Sequence, residues 1–262
     1  MRASNYTGPM AGVNISMPKL NGLRCMYCPQ TKAFWSRDGA MWNEPVLRHL
    51  KIPEGVEHPL DGELYCHGMT LQEITRAVAV GRLEPGPGTE RIIFHVFDAL
   101  IPNAAAQQRM QYLYLLDETP TVQIIDYRIC YKQEELDKYY TYYTEQGYEG
   151  QMIKPMSGYY IPQGEFKKPS INLVKRKGFL DSEFLCVGVR AGKDRLEGSI
   201  GALAFITTKG VEFEIGTGFT DIERKEFLTN SPVGRKATLK YLNLTEGGKP
   251  FNASFVAWRD DV

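Results

Sequence analysis

The sequence lacks a long hydrophobic run, and this absence excludes a helix that spans a membrane. Such a helix needs about 18 to 20 mostly apolar residues in succession, whereas the longest apolar stretch, around 202–206, has the length of a strand. Residues 1–17 also lack the basic segment followed by an apolar segment that is typical of a secretory signal. We therefore expect a protein of the cytoplasm that has no membrane partner.

Cysteine is scarce, and its spacing argues against disulfides and zinc. The chain has five cysteines, an odd number scattered between residues 25 and 186, which does not suit a disulfide framework. Cys25 and Cys28 form a single close pair, whereas a structural zinc site typically has two. Reduced thiols are the expected state.

The sequence has no excess of charge of either sign. It contains 31 basic and 31 acidic residues, and its formal net charge at pH 7 is zero. This balance excludes a protein that coats nucleic acid through bulk electrostatics, although a basic groove can lie within a neutral molecule. With 262 residues, 43% of them hydrophobic, the chain is long enough for two small domains with separate cores.

The first two thirds of the chain mix predicted strands with predicted helices. Residues 1–17 are predicted to be an irregular arm because Gly8 and Gly12 interrupt any periodicity. Thr70 and Glu73 form a capping box, which predicts a helix to about residue 80. The pattern further predicts helices at 107–116 and 133–146, and strands at 92–100, 148–153 and 172–175.

The remaining third is rich in predicted strands. Five strand-like runs occupy residues 184–189, 201–207, 211–215, 237–244 and 253–258, and a predicted helix at 221–230 follows the third. This order is typical of a small barrel of the OB type, which often binds nucleic acid. A β-domain without a binding role remains the alternative. We place the domain boundary between residues 182 and 183, which gives domains 1–182 and 183–262.

A short element around Lys19 is the strongest functional signal, because related elements follow it in a fixed order. A lone Lys-x-x-Gly is common and means little. Here the further segments are Ser36–Gly39, Leu60–Leu64, Phe94–Asp98, Glu149–Lys154 and Leu173–Lys177. Together they resemble the motifs of the covalent nucleotidyltransferases, which are the DNA ligases, RNA ligases and mRNA capping enzymes. The run 175–183 resembles the minimal viral and phage ATP-dependent DNA ligases, and the resemblance covers about residues 18–261.

The resemblance implies an α+β fold and a ligase reaction. The expected architecture is a nucleotidyltransferase domain, with ATP-grasp-like antiparallel sheets and helices, followed by a small OB-fold β-barrel. The expected enzyme is a DNA ligase that uses ATP and Mg²⁺ (or Mn²⁺). It would seal nicks with a 3′-hydroxyl and a 5′-phosphate in duplex DNA through a lysyl-AMP intermediate. We expect a monomer of viral or bacterial origin.

The resemblance also assigns a role to Lys19 and to the cations near it. Lys19 would be the nucleophile that attacks the α-phosphorus of ATP. A lysine is normally charged at neutral pH, but neighbouring cations such as Lys175 and Lys177 and a bound Mg²⁺ favour its uncharged form. The same cations would hold the phosphate oxygens. Gly22 would let the backbone approach the nucleotide closely.

The other predicted site residues would bind the nucleotide, the metal and the nick. By resemblance, Arg24 contacts the AMP ribose or the nick, Glu63 the ribose hydroxyls, and Phe97 stacks on the adenine. Glu149 would bind the divalent metal, for which a carboxylate is a suitable ligand. Arg37 would bind the 5′-phosphate at the nick, since a guanidinium binds phosphate through two parallel hydrogen bonds.

The sequence departs from the family pattern in two places, and the first keeps other functions open. The residue that is usually aspartate in the first motif of DNA ligases is Asn21 here, and an amide cannot act as a base. An RNA ligase, a capping-type nucleotidyltransferase and a catalytically inactive nucleic-acid-binding relative are therefore alternatives. The connector 190–198 is also too short for the DNA-encircling latch of the viral enzymes.

Without a latch, the duplex would be held by cations on the two domain faces. The candidate cations are Lys167, Lys168, Arg190, Lys193 and Arg195. Arg259, Asp260 and Asp261 lie where the family has its last motif, whose arginine helps to orient the pyrophosphate of ATP.

Overall fold

Strands and helices alternate through residues 1–177 of the computed structural model, which describes residues 1–162, 169–245 and 247–259. The strands are β1 (Ala3–Asn5), β2 (Asn14–Lys19), β3 (Leu23–Cys28), β4 (Ala33–Ser36), β5 (Leu60–Tyr65), β6 (Ile93–Ala99), β7 (Val122–Ile124), β8 (Arg128–Cys130), β9 (Gly150–Pro155) and β10 (Ser170–Lys177). The helices are α1 (Glu44–Leu47), α2 (Leu71–Val78), α3 (Ala106–Tyr114) and α4 (Gln133–Glu145), with one 3₁₀ turn at Thr89–Arg91.

These strands form two five-stranded sheets that share a core. One has the order β1-β10-β9-β2-β8 and the other β4-β3-β5-β6-β7. Neighbouring strands are antiparallel, except that β1 pairs with β10 and β7 with β6 in parallel. Ile15 and Met17 of the first sheet and Leu64 and Phe94 of the second belong to one buried cluster. These side chains hold the two sheets against each other.

The rest of the chain contains a third five-stranded sheet. Its strands are β11 (Leu180–Ala191), β12 (Ile200–Ile206), β13 (Glu212–Ile215), β14 (Lys236–Tyr241) and β17 (Ser254–Arg259), in the order β13-β12-β11-β14-β17. The short strands β15 (Asn243–Leu244) and β16 (Pro250–Phe251) form a separate pair, and α5 spans Asp221–Thr229. The N–H of Phe255 in β17 donates to the carbonyl of Thr217, just after β13, at 3.0 Å. The two edges of this sheet therefore approach each other, as in a small barrel.

The chain divides into two compact units, Met1–Lys177 and Gly178–Val262. The boundary proposed after residue 182 lies within β11. The first half of β11 pairs with β14, from Leu180 opposite Tyr241 to Leu185 opposite Lys236. This pairing explains why the second unit begins before β11.

Residues 1–17 are not the irregular arm that the sequence predicted, because they contain β1 and most of β2. The glycines at positions 8 and 12 led to this error, whereas β1 and β2 pair with distant strands and β2 also buries polar side chains. The amide of Asn14 donates to the carbonyls of Ala11 and Gly12 at 3.3 and 2.9 Å, and the hydroxyl of Ser16 accepts from the amide of Gln151 at 2.7 Å. These bonds allow polar side chains where a strand would normally bury apolar ones.

The predictions of helices and of their capping were more accurate than the prediction for residues 1–17. The predicted capping box is confirmed, since the side chain of Thr70 accepts from the N–H of Glu73 at 3.2 Å and Glu73 accepts from the N–H of Thr70 at 2.7 Å. The predicted helices at 107–116, 133–146 and 221–230 are confirmed as α3, α4 and α5. The described helices include none with the length and apolarity that a bilayer crossing requires.

Candidate active site

A cavity of about 600 Å³ opens in the first unit, and its volume is in the range of ligand-binding pockets. Most of the predicted site residues line it, namely Lys19, Arg24, Arg37, Glu63, Phe97, Lys175 and Lys177. The remaining one, Glu149, contacts Lys19 and Lys177. Apolar side chains, among them Met17, Met152 and Leu173, complete the wall. The cavity thus combines charged groups with an apolar surface that could accept a flat ring.

Three neighbouring strands position Lys19. It is the last residue of β2 and lies opposite Gly150 of β9, which in turn lies opposite Lys177 of β10. Gly150 has a φ of 153°, and a Cβ there would lie 2.1 Å from the carbonyl oxygen of Arg176, so only glycine fits between the strands. The N–H of Glu149 donates to the carbonyl of Lys19 at 3.0 Å. This crossing joins the motif of Lys19 with the segments Glu149–Lys154 and Leu173–Lys177.

The carboxylate of Glu149 forms ion pairs with both lysines at this crossing. One of its oxygens contacts the ammonium of Lys19, and the other contacts the ammonium of Lys177. Burial alone would raise the pKa of Glu149, but the two ammonium groups outweigh it and hold the pKa below its usual range. A carboxylate stabilises the ammonium form of its partner. Glu149 thus lies between the ammonium groups of Lys19 and Lys177.

Glu63 of β5 faces the same end of the cavity. Its Oε1 accepts a hydrogen bond from the N–H of Gly22 at 3.0 Å. Burial raises the pKa of Glu63, although Lys19 and the Gly22 N–H favour its charged form. A Cβ on Gly22 would lie 2.3 Å from the carbonyl oxygen of Leu64. Glycine is thus required here by the close passage of β5, and not only by the approach of a nucleotide as the sequence suggested.

Arg24 borders the cavity with most of its N–H groups already bonded. Nε and Nη2 donate to the two oxygens of buried Asp61 at 2.9 and 2.5 Å, and Nη1 donates to the carbonyl of Met1 at 2.5 Å. The hydroxyl of Tyr160 donates to Asp61 at 2.7 Å and accepts from the amine of Met1 at 3.0 Å. The sequence indicated Arg24 but not Tyr160, which lies outside every motif. These contacts fix the guanidinium at the edge of the cavity.

Phe97 of β6 is supported from behind by a buried charged cluster. Its ring centroid lies 5.7 Å from Cζ of Arg24 and 5.5 Å from Nζ of Lys154. Lys154 pairs with Asp98 at 2.8 Å, and Arg109 pairs with the same carboxylate at 2.7 Å, with all three side chains buried. Burial would raise the pKa of Asp98, but the two cations hold it below its usual range. Breaking such a pair typically costs about 3–5 kcal/mol, so the support for the ring is rigid.

Arg37 lies at the mouth of the cavity on a tight turn after β4. The N–H of Gly39 donates to the carbonyl of Ser36 at 3.1 Å, and Gly39 has the positive φ of 83° that the turn requires. The Arg37 side chain is 61% exposed, and its one ionic contact among the described residues is with Asp38 at 3.4 Å. Exposed pairs of this kind contribute little energy. The guanidinium is therefore available to an incoming phosphate.

Lys175 and Arg2 are further cations of the cavity wall. The sequence indicated Lys175 through its motif, but Arg2 precedes every motif. Arg2 reaches the cavity because β1 pairs with β10, the strand that carries Lys175. Burial and three neighbouring cations, one of them Arg2, lower the pKa of Lys175.

The cations predicted to hold a duplex are only partly described. Lys167 and Lys168 lie outside the described residues. The guanidinium of Arg190 contacts Glu212 and Glu214, each at 2.6 Å. These two carboxylates offset most of its charge, so Arg190 is a weaker candidate than the sequence suggested.

Of the three residues that match the last family motif, the structure describes one, Arg259. Arg259 is the end of β17, and Asp260 and Asp261 lie outside the described residues. The side chain of Arg259 donates to the hydroxyl of Thr238 at 2.8 Å and contacts Glu183 at 3.1 Å.

Comparison with known sequences finds DNA ligases among the relatives of this chain. Residues 191–259 match the family model for the DNA ligase OB-like domain. The chain is 27% identical over 247 residues to a DNA ligase of Haemophilus influenzae, an alignment that covers 92% of this chain and 84% of that protein. It is 25% identical over 275 residues to a DNA ligase of African swine fever virus, covering 93% of this chain and 63% of the viral protein. The chain thus spans somewhat less than two thirds of the viral relative.

Comparison with solved structures confirms the predicted fold class. A Lig E DNA ligase superimposes with a TM-score of 0.81 and 25% identity, covering 98% of this chain and 97% of that one. The adenylate of the Chlorella virus DNA ligase superimposes with a TM-score of 0.54 and 24% identity, covering 98% of each chain. At that level of identity the second match bears on the fold alone.

Proposed function

We infer that the chain is an ATP-dependent DNA ligase that seals nicks with a 3′-hydroxyl and a 5′-phosphate in duplex DNA through an AMP carried on Lys19. The meeting of Lys19, Glu149 and Lys177 at the edge of a nucleotide-sized cavity is the observation that carries the inference. The sequence and structural relatives named above support it. We further propose that a single chain acts on the nicked duplex.

In the first step, Nζ of Lys19 attacks the α-phosphorus of ATP. The new bond joins nitrogen to phosphorus, and the bond from that phosphorus to the bridging oxygen of pyrophosphate breaks. The attacking amine must be uncharged, so the proton of Lys19 must leave and its pairing with Glu149 must be relieved. Lys177 and Lys175 lie beside Lys19 and would stabilise negative charge on the phosphate as it develops.

The residues present suit a divalent cation held largely by the substrate. Mg²⁺ commonly binds through one or two carboxylates together with phosphate oxygens and water. Glu149 offers such a carboxylate, and the described residues contain no group of three or more His, Cys, Asp or Glu side chains arranged for a metal. We propose that Glu149 holds Mg²⁺ (or Mn²⁺). When bound, the cation would draw Glu149 away from Lys19 and neutralise phosphate charge.

The remaining cavity residues would hold the nucleotide. We propose that Phe97 stacks on the adenine, because its ring borders the cavity and is fixed by the charged cluster behind it. Glu63 would accept hydrogen bonds from the ribose hydroxyls, and Arg24 would contact the ribose or the nick from its fixed position beside Asp61. An apolar wall with charged groups at one end matches the base and the phosphates of ATP.

The two later steps take place at the nick. The AMP passes from Lys19 to the 5′-phosphate, and the 3′-hydroxyl then displaces AMP to close the strand. We propose that Arg37 binds the 5′-phosphate, because it is exposed at the mouth of the cavity that contains Lys19. Asn21 replaces the usual aspartate of the first motif. Because an amide cannot act as a base, we expect this substitution to alter the last step.

A labelling experiment tests this function against its alternatives. The protein is incubated with Mg²⁺ and ATP or GTP labelled at the α-phosphate, and then with duplexes that carry DNA or RNA at a single nick. We expect label on the protein from ATP and sealing of the DNA nick. Label from GTP would indicate a capping enzyme, and sealing restricted to RNA would indicate an RNA ligase. Absence of label from both nucleotides would contradict a ligase and leave a nucleic-acid-binding protein.

Replacing Phe97 with alanine is expected to weaken ATP binding by about 1–3 kcal/mol, the usual contribution of stacking between an aromatic side chain and a base. The measurement is the ATP concentration that half-saturates labelling of the protein. Phe97→Trp should retain most of the affinity, because the ring is preserved. Tyr114→Ala is a matched control, since Tyr114 is 77% exposed and does not line the cavity. An unchanged ATP requirement in Phe97→Ala would show that the ring only packs.

A further inference from the structure

Arg2 is a cation of the cavity that no motif contains. Arg2 and Ala3 line the same cavity as Lys19 and Lys175. They arrive there through β1, which runs parallel to β10 and places Ser4 opposite Val174 and Asn5 opposite Lys175. The start of the chain is therefore part of the cavity wall.

Hydrogen bonds on both sides hold the backbone of Arg2 in place. Its carbonyl accepts from the N–H of Ser170 at 2.8 Å. The preceding residue, Met1, is 2% exposed, and its carbonyl accepts from the guanidinium of Arg24 at 2.5 Å. Further along β1, the N–H of Tyr6 donates to the carbonyl of Lys175 at 2.9 Å. The position of Arg2 beside the cavity thus results from several independent contacts.

The charges of the cavity are unevenly neutralised. Lys19 and Lys177 share the carboxylate of Glu149, Arg24 pairs with Asp61, and Arg37 contacts Asp38. Within the part of the chain that the structure describes, neither Arg2 nor Lys175 forms an ion pair with a carboxylate, and Glu149 acts on Lys175 only from a distance. Two like charges facing one cavity repel each other, and this cost is removed when an anion binds between them.

We propose that Arg2 binds a phosphate group at the cavity, together with Lys175. A guanidinium donates two parallel hydrogen bonds to phosphate oxygens, which suits an exposed arginine beside a nucleotide site. The inference rests on the ligase function proposed above, under which two phosphate groups come to this cavity. One belongs to ATP, and the other is the 5′-phosphate of the nick.

The test separates these two sources with the variant Arg2→Ala. In the first arm, labelling of Lys19 is measured against ATP concentration, and inorganic pyrophosphate is used to remove AMP from the labelled enzyme. In the second arm, enzyme already carrying AMP is mixed with nicked duplex in the absence of ATP. If Arg2 binds a phosphate of ATP, the ATP and pyrophosphate requirements should each rise roughly tenfold or more, as is typical for loss of a hydrogen bond between charged groups. If Arg2 binds the nick phosphate, transfer of AMP to the duplex in the second arm should slow by a similar factor.

Two further variants complete the design. Arg2→Lys keeps the charge and should recover part of the lost function. Arg48→Ala removes an exposed arginine of the same unit that does not line the cavity, and it should behave like the unmodified protein in both arms. The side chain of Arg2 is exposed, so its removal should leave the thermal unfolding temperature unchanged.

The outcomes distinguish failure of this inference from failure of the proposed function. A loss of function in either arm supports phosphate binding by Arg2, and the affected arm identifies which phosphate it binds. Normal behaviour of Arg2→Ala in both arms, in a protein that still labels and seals, would overturn the role of Arg2 alone. An unmodified protein that takes no label from ATP would overturn the proposed function itself.

Discussion

Replacing Lys19 with alanine is expected to abolish transfer of AMP from ATP to the protein. Lys19 lies at the end of β2, where its ammonium contacts Glu149 beside Lys177. Lys19→Arg should fail as well, because arginine keeps its proton at any working pH and cannot act as the nucleophile. The measurement is label retained on the protein after incubation with ATP labelled at the α-phosphate.

A second substrate shows whether the variant is folded. A duplex whose nick already carries AMP on its 5′-phosphate needs no lysyl-AMP, so Lys19→Ala should still close it at a measurable rate. Lys51→Ala serves as a matched control, since Lys51 is exposed and does not line the cavity. Label on the alanine variant at the level of the unmodified protein would show that another residue carries the AMP.

The site residues could be predicted from the sequence because their chemical identity is tied to short motifs. Lys19, Glu63 and Lys177 were each indicated by a few neighbouring residues, and the structure brings them to one cavity. Their supporting residues could not be predicted in this way. Tyr160 contacts Asp61 across nearly a hundred positions of the chain, and Arg109 reaches Asp98 only through the packing of α3 on β6.

The same contrast between local and distant contacts holds for the fold. The helix α2 was predicted because its capping box involves only Thr70 and Glu73. The strand β2 was missed because Gly8 and Gly12 suggested an irregular segment, while the strands that pair with β2 lie far along the chain. Arg2 was missed for a related reason, since only the parallel pairing of β1 with β10 brings it to the cavity. Contacts between distant segments are set by strand register, which a single sequence does not reveal.

Replacing Arg37 with alanine is expected to separate the steps of the reaction. Labelling of Lys19 by ATP should remain close to that of the unmodified protein, because Arg37 is exposed at the mouth of the cavity and has no contact with Lys19 or Glu149. Transfer of AMP to the nick should fall by roughly 100-fold, corresponding to loss of about 2–3 kcal/mol from a charge-assisted bond to phosphate. The measurement is the rate at which enzyme carrying labelled AMP loses it to a singly nicked duplex.

Arg128→Ala is a close match for this variant. Arg128 is also an exposed arginine paired with a nearby aspartate, Asp126, and it does not line the cavity, so its loss should leave both steps unchanged. Arg37→Lys should transfer AMP at an intermediate rate, because lysine keeps the charge but not the paired hydrogen bonds. If labelling by ATP fell as far as transfer to the nick, Arg37 would belong to the ATP site, and its assignment to the 5′-phosphate would be wrong.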